Sequence, residues 1–267
     1  MKKDNEFEYV DNALEQLGNI VFENNDFDKT MDDIYKFTES MIADFPKVSP
    51  EIIIEYQSYI QTMLLMREKY KDCYDKLIQQ TEEQAIRNEY ASGGECIHRG
   101  FYCPSPVLDK LVGGCNRGKK INKPRANSRY YYKYYINDKN KIIRSDKYED
   151  GRCLETEFII LESNKTYGIT FSTQDHLTGL LSLEQYSDRG ILDKYITVLP
   201  DLYTGRENHN IYSAEKYKYD EYDILQGVTY ATGIPNMNLI TEEKYNLIND
   251  CNNGICFCNP SKQSDTN

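Results

Sequence analysis

The sequence has no tryptophan, only three histidines and no apolar run of about 18 residues. The last absence excludes a transmembrane helix, which needs roughly 20 consecutive apolar residues. Residues 1–6 turn acidic where a signal peptide would begin its apolar stretch. We therefore expect a cytoplasmic protein with no membrane partner. In that compartment the eight cysteines are expected to be thiols or metal ligands rather than disulfides.

Motifs for nucleophilic catalysis and for phosphate binding are missing as well. His98, His176 and His209 have no nucleophile elbow and no Cys–His signature around them. Residues 113–120 contain Gly and Lys, but they lack the Ser or Thr that follows the lysine of a P-loop. We expect a protein that is not an enzyme and that has no catalytic residues.

One set of residues has the ligand types of a structural zinc site. It supplies four soft or borderline ligands, the number that Zn²⁺ takes in such a site. The spacing lacks a Cys-x-x-Cys knuckle, so unligated thiols in an irregular loop are the other interpretation, and no cofactor is favoured. The candidate ligands are Cys96, His98, Cys103 and Cys115.

Charge is distributed unevenly over a chain whose net charge is −11. Residues 1–92 carry a net charge of −10, residues 93–127 of +5 and residues 128–250 of −6. An acidic body disfavours nucleic acid, because phosphate binding requires neutralisation by Lys and Arg. It favours a basic protein partner, whose association is accelerated by the complementary field. High solubility is the simpler explanation of the same charge.

Residues 1–92 have the apolar period of helices. Apolar side chains recur at steps of three and four over residues 7–21 and 27–45. Ser49 and Pro50 form a helix start, and the third stripe runs on to Glu89 without a breaker. Residues 93–127 are a basic, Cys-containing linker or docking segment, with a short helix at residues 107–112.

From Ser128 the apolar period changes to two, which predicts strands. Turn residues recur every 8–15 positions without a helical pattern between them, so residues 128–235 are predicted to form an antiparallel β-meander. The predicted fold class is α+β, a helical bundle or hairpin followed by this sheet. Residues 236–267 are predicted to contain one short capped helix at 241–248 and a flexible tail. The eight predicted strands are 130–136, 142–148, 154–161, 167–171, 180–186, 191–199, 208–220 and 224–230.

A weak repeat of Tyr, acidic turn and apolar strand start runs through the meander. With the Arg-Gly-Lys-Lys lead-in from Arg117 and the Tyr-rich run at residues 130–138, it resembles immunity proteins encoded beside polymorphic toxins in low-GC Gram-positive bacteria. The repeat is also similar to the YD repeats of large toxin shells. The resemblance covers less than half of the chain, and it implies a cytosolic protein that binds and blocks one cognate toxin.

The leading hypothesis is therefore a non-catalytic immunity protein whose partner is a cognate, basic toxin such as a nuclease. The alternatives are a scaffold module that self-associates through the long third helix, and a small zinc-binding protein. Tyrosines and carboxylates at the ends of strands are the expected contacts, since rigid aromatic side chains give large contact area at low entropic cost. These candidates are Tyr186, Asp188, Asp193, Tyr195, Tyr219, Glu221 and Asp223.

Overall fold

The computed structural model describes residues 48–111, 115–125, 128–200, 210–234, 239–250 and 254–258. The chain divides into two compact units, Met1–Lys47 and Val48–Asn267, and all described residues belong to the second. The predicted helical stripes at 7–21 and 27–45 lie outside the described residues.

The second unit is built on one large antiparallel sheet with two helices against it. The helices are α1 (Pro50–Tyr70), α2 (Tyr74–Gln84) and the short α3 (Leu108–Leu111), with a 3₁₀ turn at Gly100–Tyr102. The strands are β1 (Arg87–Ser92), β2 (Lys119–Ile121), β3 (Tyr130–Ile136), β4 (Ile142–Glu149), β5 (Arg152–Leu161), β6 (Lys165–Ser172), β7 (Thr178–Tyr186), β8 (Leu192–Leu199), β9 (Ile211–Tyr219), β10 (Leu225–Ile234), β11 (Leu239–Asp250) and β12 (Gly254–Cys258).

The strand order is that of a meander, which confirms this part of the predicted fold class. From β3 to β12 every strand pairs antiparallel with the next in the chain, while β1 pairs with β3 and β2 forms the edge beyond it. All eight predicted strands are present as β3 to β10. The period-two alternation and the turn residues were sufficient to predict these strands, because local sequence specifies each hairpin.

One face of the sheet carries the main apolar core. Side chains at alternate positions of β5 to β11 meet α1 and α2 there, and Phe158, Phe171 and Leu183 are fully buried. Tyr56 of α1 packs against Tyr212 of β9, with 4.7 Å between the ring centroids and the rings tilted by 32°. Helix α1 is therefore fixed on the sheet by its apolar side.

The third helix was predicted to continue to Glu89, and this is wrong. Helix α1 ends at Tyr70, α2 begins at Tyr74, and residues 87–92 form strand β1. A continuous helix would extend for about 60 Å, about twice the length of a strand of eight to ten residues. The break lets Tyr74 return to the sheet, where its ring contacts Phe158, Phe171 and His176.

The short helix predicted at 241–248 is also wrong, because these residues lie in strand β11. Its residues pair with β10 from Gly227↔Asn246 to Ile234↔Leu239. The Tyr56 hydroxyl donates to Glu242 Oε2 at 2.9 Å, and Tyr245 packs in a cluster with Tyr217 and Val228. Pairing with an open strand edge and packing on both faces override the local helix-capping pattern.

The opposite face of the sheet is covered by residues 94–111, the covering segment. It contains the predicted short helix as α3 (Leu108–Leu111). Among the described residues, no helix is long and apolar enough to cross a membrane.

Candidate functional site

The covering segment is fixed to the sheet by backbone contacts around Arg99. This residue takes the left-handed conformation, with φ of 57°. Its carbonyl oxygen accepts a hydrogen bond of 2.8 Å from the Tyr134 hydroxyl of β3. Further along, the Arg117 guanidinium donates to the Cys103 carbonyl oxygen at 3.0 Å and pairs with Asp109 at 2.8 Å. The backbone turn aims the Arg99 side chain at the sheet.

A buried ionic network lies where Arg99 meets the sheet. The guanidinium contacts Glu157 through two hydrogen bonds, from Nε at 2.7 Å and from Nη2 at 2.8 Å. It also donates through Nη1 to Glu184 and through Nη2 to the Ser182 hydroxyl at 3.0 Å. Arg99, Glu157 and Glu184 are 5%, 4% and 5% exposed. One guanidinium thus compensates two carboxylates on neighbouring parts of the sheet.

His98 extends this network to β8. Its Nδ1 is hydrogen-bonded with the Tyr195 hydroxyl, and its Nε2 lies 3.1 Å from Glu157 Oε1 without the angle of a hydrogen bond. Burial would raise the pKa of the Glu157 carboxyl, but the Arg99 and His98 contacts outweigh it and hold that pKa well below the usual range. Glu157 is therefore a carboxylate at neutral pH.

Glu215 on β9 is the second carboxyl of this region, and its environment has the opposite effect. Burial raises its pKa to about 7, although the Ser105 and Tyr217 hydroxyls, which donate at 2.5 and 2.8 Å, lower it. Two carboxyls with pKa values moved apart are the pair that acid–base chemistry uses. In this protein each of the two carboxyls is hydrogen-bonded to other protein groups. Burial also raises the pKa of the Cys103 thiol, in the same region, to about 12.

A cleft of about 380 Å³ remains between the covering segment and the sheet. Glu157 and Glu215 line it together with the hydroxyls of Thr197 and Ser213, which face each other in the β8–β9 register. The lining is polar on the sheet side. It suits hydrogen bonding to a polar group.

Gly168 on β6 makes room for the ionic network. A Cβ atom at this position would lie 1.9 Å from Glu157 Oε1, 2.2 Å from Ser182 Oγ and 2.6 Å from Arg99 Nη2. The missing side chain is thus a condition of the close approach between β6 and the buried charges.

The four candidate zinc ligands do not converge. His98 Nδ1 is bonded to Tyr195 and its Nε2 faces Glu157, while Cys103 is buried. Within the described ranges, no group of three or more His, Cys, Asp or Glu side chains has the arrangement to hold a metal ion. Cys96 and Cys115 do lie together, at the base of the covering segment.

The predicted contact residues fall into three environments. Asp188, Glu221 and Asp223 are exposed in the turns after β7 and β9, whereas Asp193, Tyr186 and Tyr219 are half-buried, and the Tyr186 hydroxyl donates to Glu184 of the ionic network. Tyr195 is only 2% exposed and points into the ionic network, so it lies in the interior and not on this surface.

The two turns stand side by side at one end of the sheet. Both connect an odd strand to the next even strand of the meander, and an Arg189–Asp223 ion pair joins them. We call residues 187–193 and 219–224 the turn-end surface. Tyr222 and Ile224 are 76% and 52% exposed in its middle.

Asp220 orders the second turn from within. Its Oδ1 accepts hydrogen bonds of 2.9 Å from the backbone N–H groups of Tyr222 and Ile224, and its Oδ2 accepts one of 2.8 Å from Gln226. A carboxylate that bonds the backbone two residues on is a common turn former. Tyr222 is therefore presented on a pre-ordered loop.

Sequence reasoning did not identify Arg99, Glu157, Glu184 and Glu215 as one group. The only signal was the excess of positive charge in residues 93–127 beside acidic flanks. Three basic residues in or next to this stretch pair with acidic groups of the same chain: Arg117 with Asp109, Lys120 with Glu89 and Arg129 with Glu149.

Comparison of the chain with models of protein families, with curated proteins and with solved structures gives no significant match.

Proposed function

We propose that this chain is a non-catalytic immunity protein that binds and neutralises a cognate basic toxin in the cytoplasm, through the turn-end surface. The observation that supports it most is the exposed Tyr222 within a rim of carboxylates on ordered turns. The resemblance of the meander to immunity proteins supports the same class.

The chemistry of this surface favours a basic protein. Five carboxylates, of Asp188, Asp193, Asp220, Glu221 and Asp223, stand against the single guanidinium of Arg189. An aromatic side chain with a polar rim is a usual composition of a binding hot spot. Arg and Lys side chains of a partner would pair with the rim and stack on the ring.

The order of the turns supports binding rather than catalysis. Backbone hydrogen bonds close both turns, including Gly190 N–H to the Ser187 carbonyl at 2.9 Å and Asp220 N–H to the Ile224 carbonyl at 3.0 Å. A loop that is already ordered loses little conformational entropy on binding, so a larger part of the contact energy becomes affinity.

The scaffold alternative depended on a long third helix. Helix α1 has 21 residues and buries Tyr56, Ile60 and Met63 against the sheet, which leaves its outer side, with Ile54 and Leu65, for any other contact. This helix ends at Tyr70, so it is shorter than the helix to Glu89 on which the scaffold alternative was based.

The test is co-expression with the toxin encoded next to this chain. We expect that cells producing both survive, and that the two proteins purify as a complex whose yield falls with salt, because surface charge attraction is screened. Killing that is unchanged by this chain, or two proteins that never co-purify, would show that the proposal is wrong.

A further inference from the structure

The base of the covering segment is an antiparallel ladder whose register continues to two cysteines. Strands β1 and β2 pair as Tyr90↔Ile121, Ala91↔Lys120 and Ser92↔Lys119. The next even steps in this register set Gly94 opposite Arg117 and Cys96 opposite Cys115.

Close backbone contacts show that the two chains stay together beyond the last paired residues. A Cβ on Gly94 would lie 2.7 Å from the Arg117 carbonyl oxygen, and one on Gly118 would lie 2.3 Å from the Ser92 carbonyl oxygen. Both glycines have positive φ, of 79° and 75°. The segment therefore leaves and returns to the sheet as one narrow neck.

The thiols at the top of this neck are in contact. The Cys96 thiol lies beside that of Cys115 and is the main cause that raises the Cys115 pKa. Cys96 is exposed and Cys115 is partly exposed, so small reagents reach both. By contrast, Cys103 is buried inside the segment.

We propose that Cys96 and Cys115 form a reversible disulfide, a redox modification site that closes the neck of the covering segment. The oxidant is a low-molecular-weight disulfide such as oxidised glutathione. The Cys96 thiolate attacks one sulfur of this disulfide and releases one thiolate, which leaves a mixed disulfide on Cys96. The Cys115 thiolate then attacks Cys96 Sγ and releases the second thiolate. The two protons lost by the cysteines end on the two released thiols, so two protein thiols and one small disulfide become one protein disulfide and two small thiols.

The cross-link would constrain the covering segment, which positions the residues of the ionic network. His98, Arg99 and Ser105 all lie between the two cysteines in sequence. A covalent bond across the neck restricts this loop in the unfolded chain and so stabilises its folded position. Cys96 also lines the cleft, so the mixed disulfide places its small-thiol group at the cleft.

The experiment equilibrates the full-length protein with oxidised and reduced glutathione and maps its disulfides by mass spectrometry after alkylation. We expect a Cys96–Cys115 cross-linked peptide, reversed by excess reduced glutathione, and a rise in Tm of about 5–10 °C on oxidation. Cys115→Ser should stop at a glutathione adduct on Cys96, whereas the matched control Cys153→Ser should still form the cross-link.

Two results would overturn the proposal. One is that Cys96 and Cys115 remain alkylatable thiols at every glutathione ratio. The other is that Cys96 cross-links to a different cysteine while Cys115 stays free. Neither result depends on toxin binding, so this test is independent of the proposed function.

Discussion

Gly168 has no Cβ atom, and the Cβ of any other residue at this position would collide with the Glu157 carboxylate. The space above it is filled by the ends of the Glu157, Ser182 and Arg99 side chains, which are buried and which an added Cβ would force to shift. This single position therefore links the β6 backbone to the charges that hold the covering segment. The dependence can be tested directly.

Gly168→Ala should destabilise the protein by about 3 kcal/mol or more, since a displaced carboxylate leaves buried charges uncompensated. Gly179→Ala is the matched control, because its added Cβ would have its nearest contact at 4.0 Å from the Thr170 carbonyl oxygen. Urea unfolding of both variants measures the difference. Equal free energies of unfolding for the two variants would contradict the role given to Gly168.

Glu215 gives a pH dependence of known sign. Its folded pKa of about 7 lies above the ordinary value of 4.5, so the folded protein keeps a proton that the unfolded chain releases between these values. Its contribution to stability is complete below pH 4.5 and is lost as pH rises through 7. Glu215→Gln removes this titration while it keeps the shape of the side chain.

We expect the free energy of unfolding of the native protein, relative to Glu215→Gln, to fall by up to about 3 kcal/mol between pH 5 and pH 8. Denaturant titrations at several pH values measure this difference, and the comparison cancels the other titrating groups. Parallel stability curves for the two proteins would show that the Glu215 pKa is not raised.

Among the secondary-structure elements, strands that form hairpins with their sequence neighbours could be predicted from the sequence. Strands β3 to β10 alternate apolar and polar residues and end in turns such as Ser187–Gly190, so neighbouring residues specify each pairing. Strand β11 was not predictable in this way. Its Thr241-Glu242-Glu243 run favours a helix locally, and pairing with β10 and β12 makes it a strand.

The interior of the candidate site could not be predicted, because its partners are distant in sequence. Arg99 and Glu157 are 58 positions apart and Arg99 and Glu184 are 85 apart. Nothing in a strand pattern shows that a loop will cover the polar face of a sheet. The exposure of the turn-end carboxylates was easier to predict, because turn residues usually lie at the protein surface.

The turn between β9 and β10 supplies a prediction at this scale. Asp220→Ala removes the acceptor of two backbone N–H groups, so Tyr222 should become mobile and toxin affinity should fall about tenfold. Asp220→Asn keeps an oxygen acceptor and should restore most of the affinity and stability. Titration calorimetry with the toxin measures both variants. An Asp220→Asn variant as weak as Asp220→Ala would assign the loss to charge instead of order.

Over the whole molecule, charges that are paired inside the chain and charges that are exposed to a partner lie in different places. Three of the seven basic residues of 93–127 are paired inside the chain, Arg99 in the network and Arg117 and Lys120 in ion pairs. Within residues 187–193 and 219–224 the sequence has one basic residue, Arg189, which pairs with Asp223. The acidic field that remains there is the part available to a basic partner.

In the proposed function the turn-end surface carries the binding of the toxin. The measurement is the Kd of the toxin for the double variant Glu221→Lys, Tyr222→Ala, with Glu83→Lys as a control that makes the same charge reversal on α2. We predict that the double variant weakens the Kd by roughly 100-fold or more, since it removes an aromatic anchor and reverses a rim charge, while Glu83→Lys stays within a few-fold of the native protein. A double variant that binds the toxin as tightly as the native protein does would show that the turn-end surface is not the binding site.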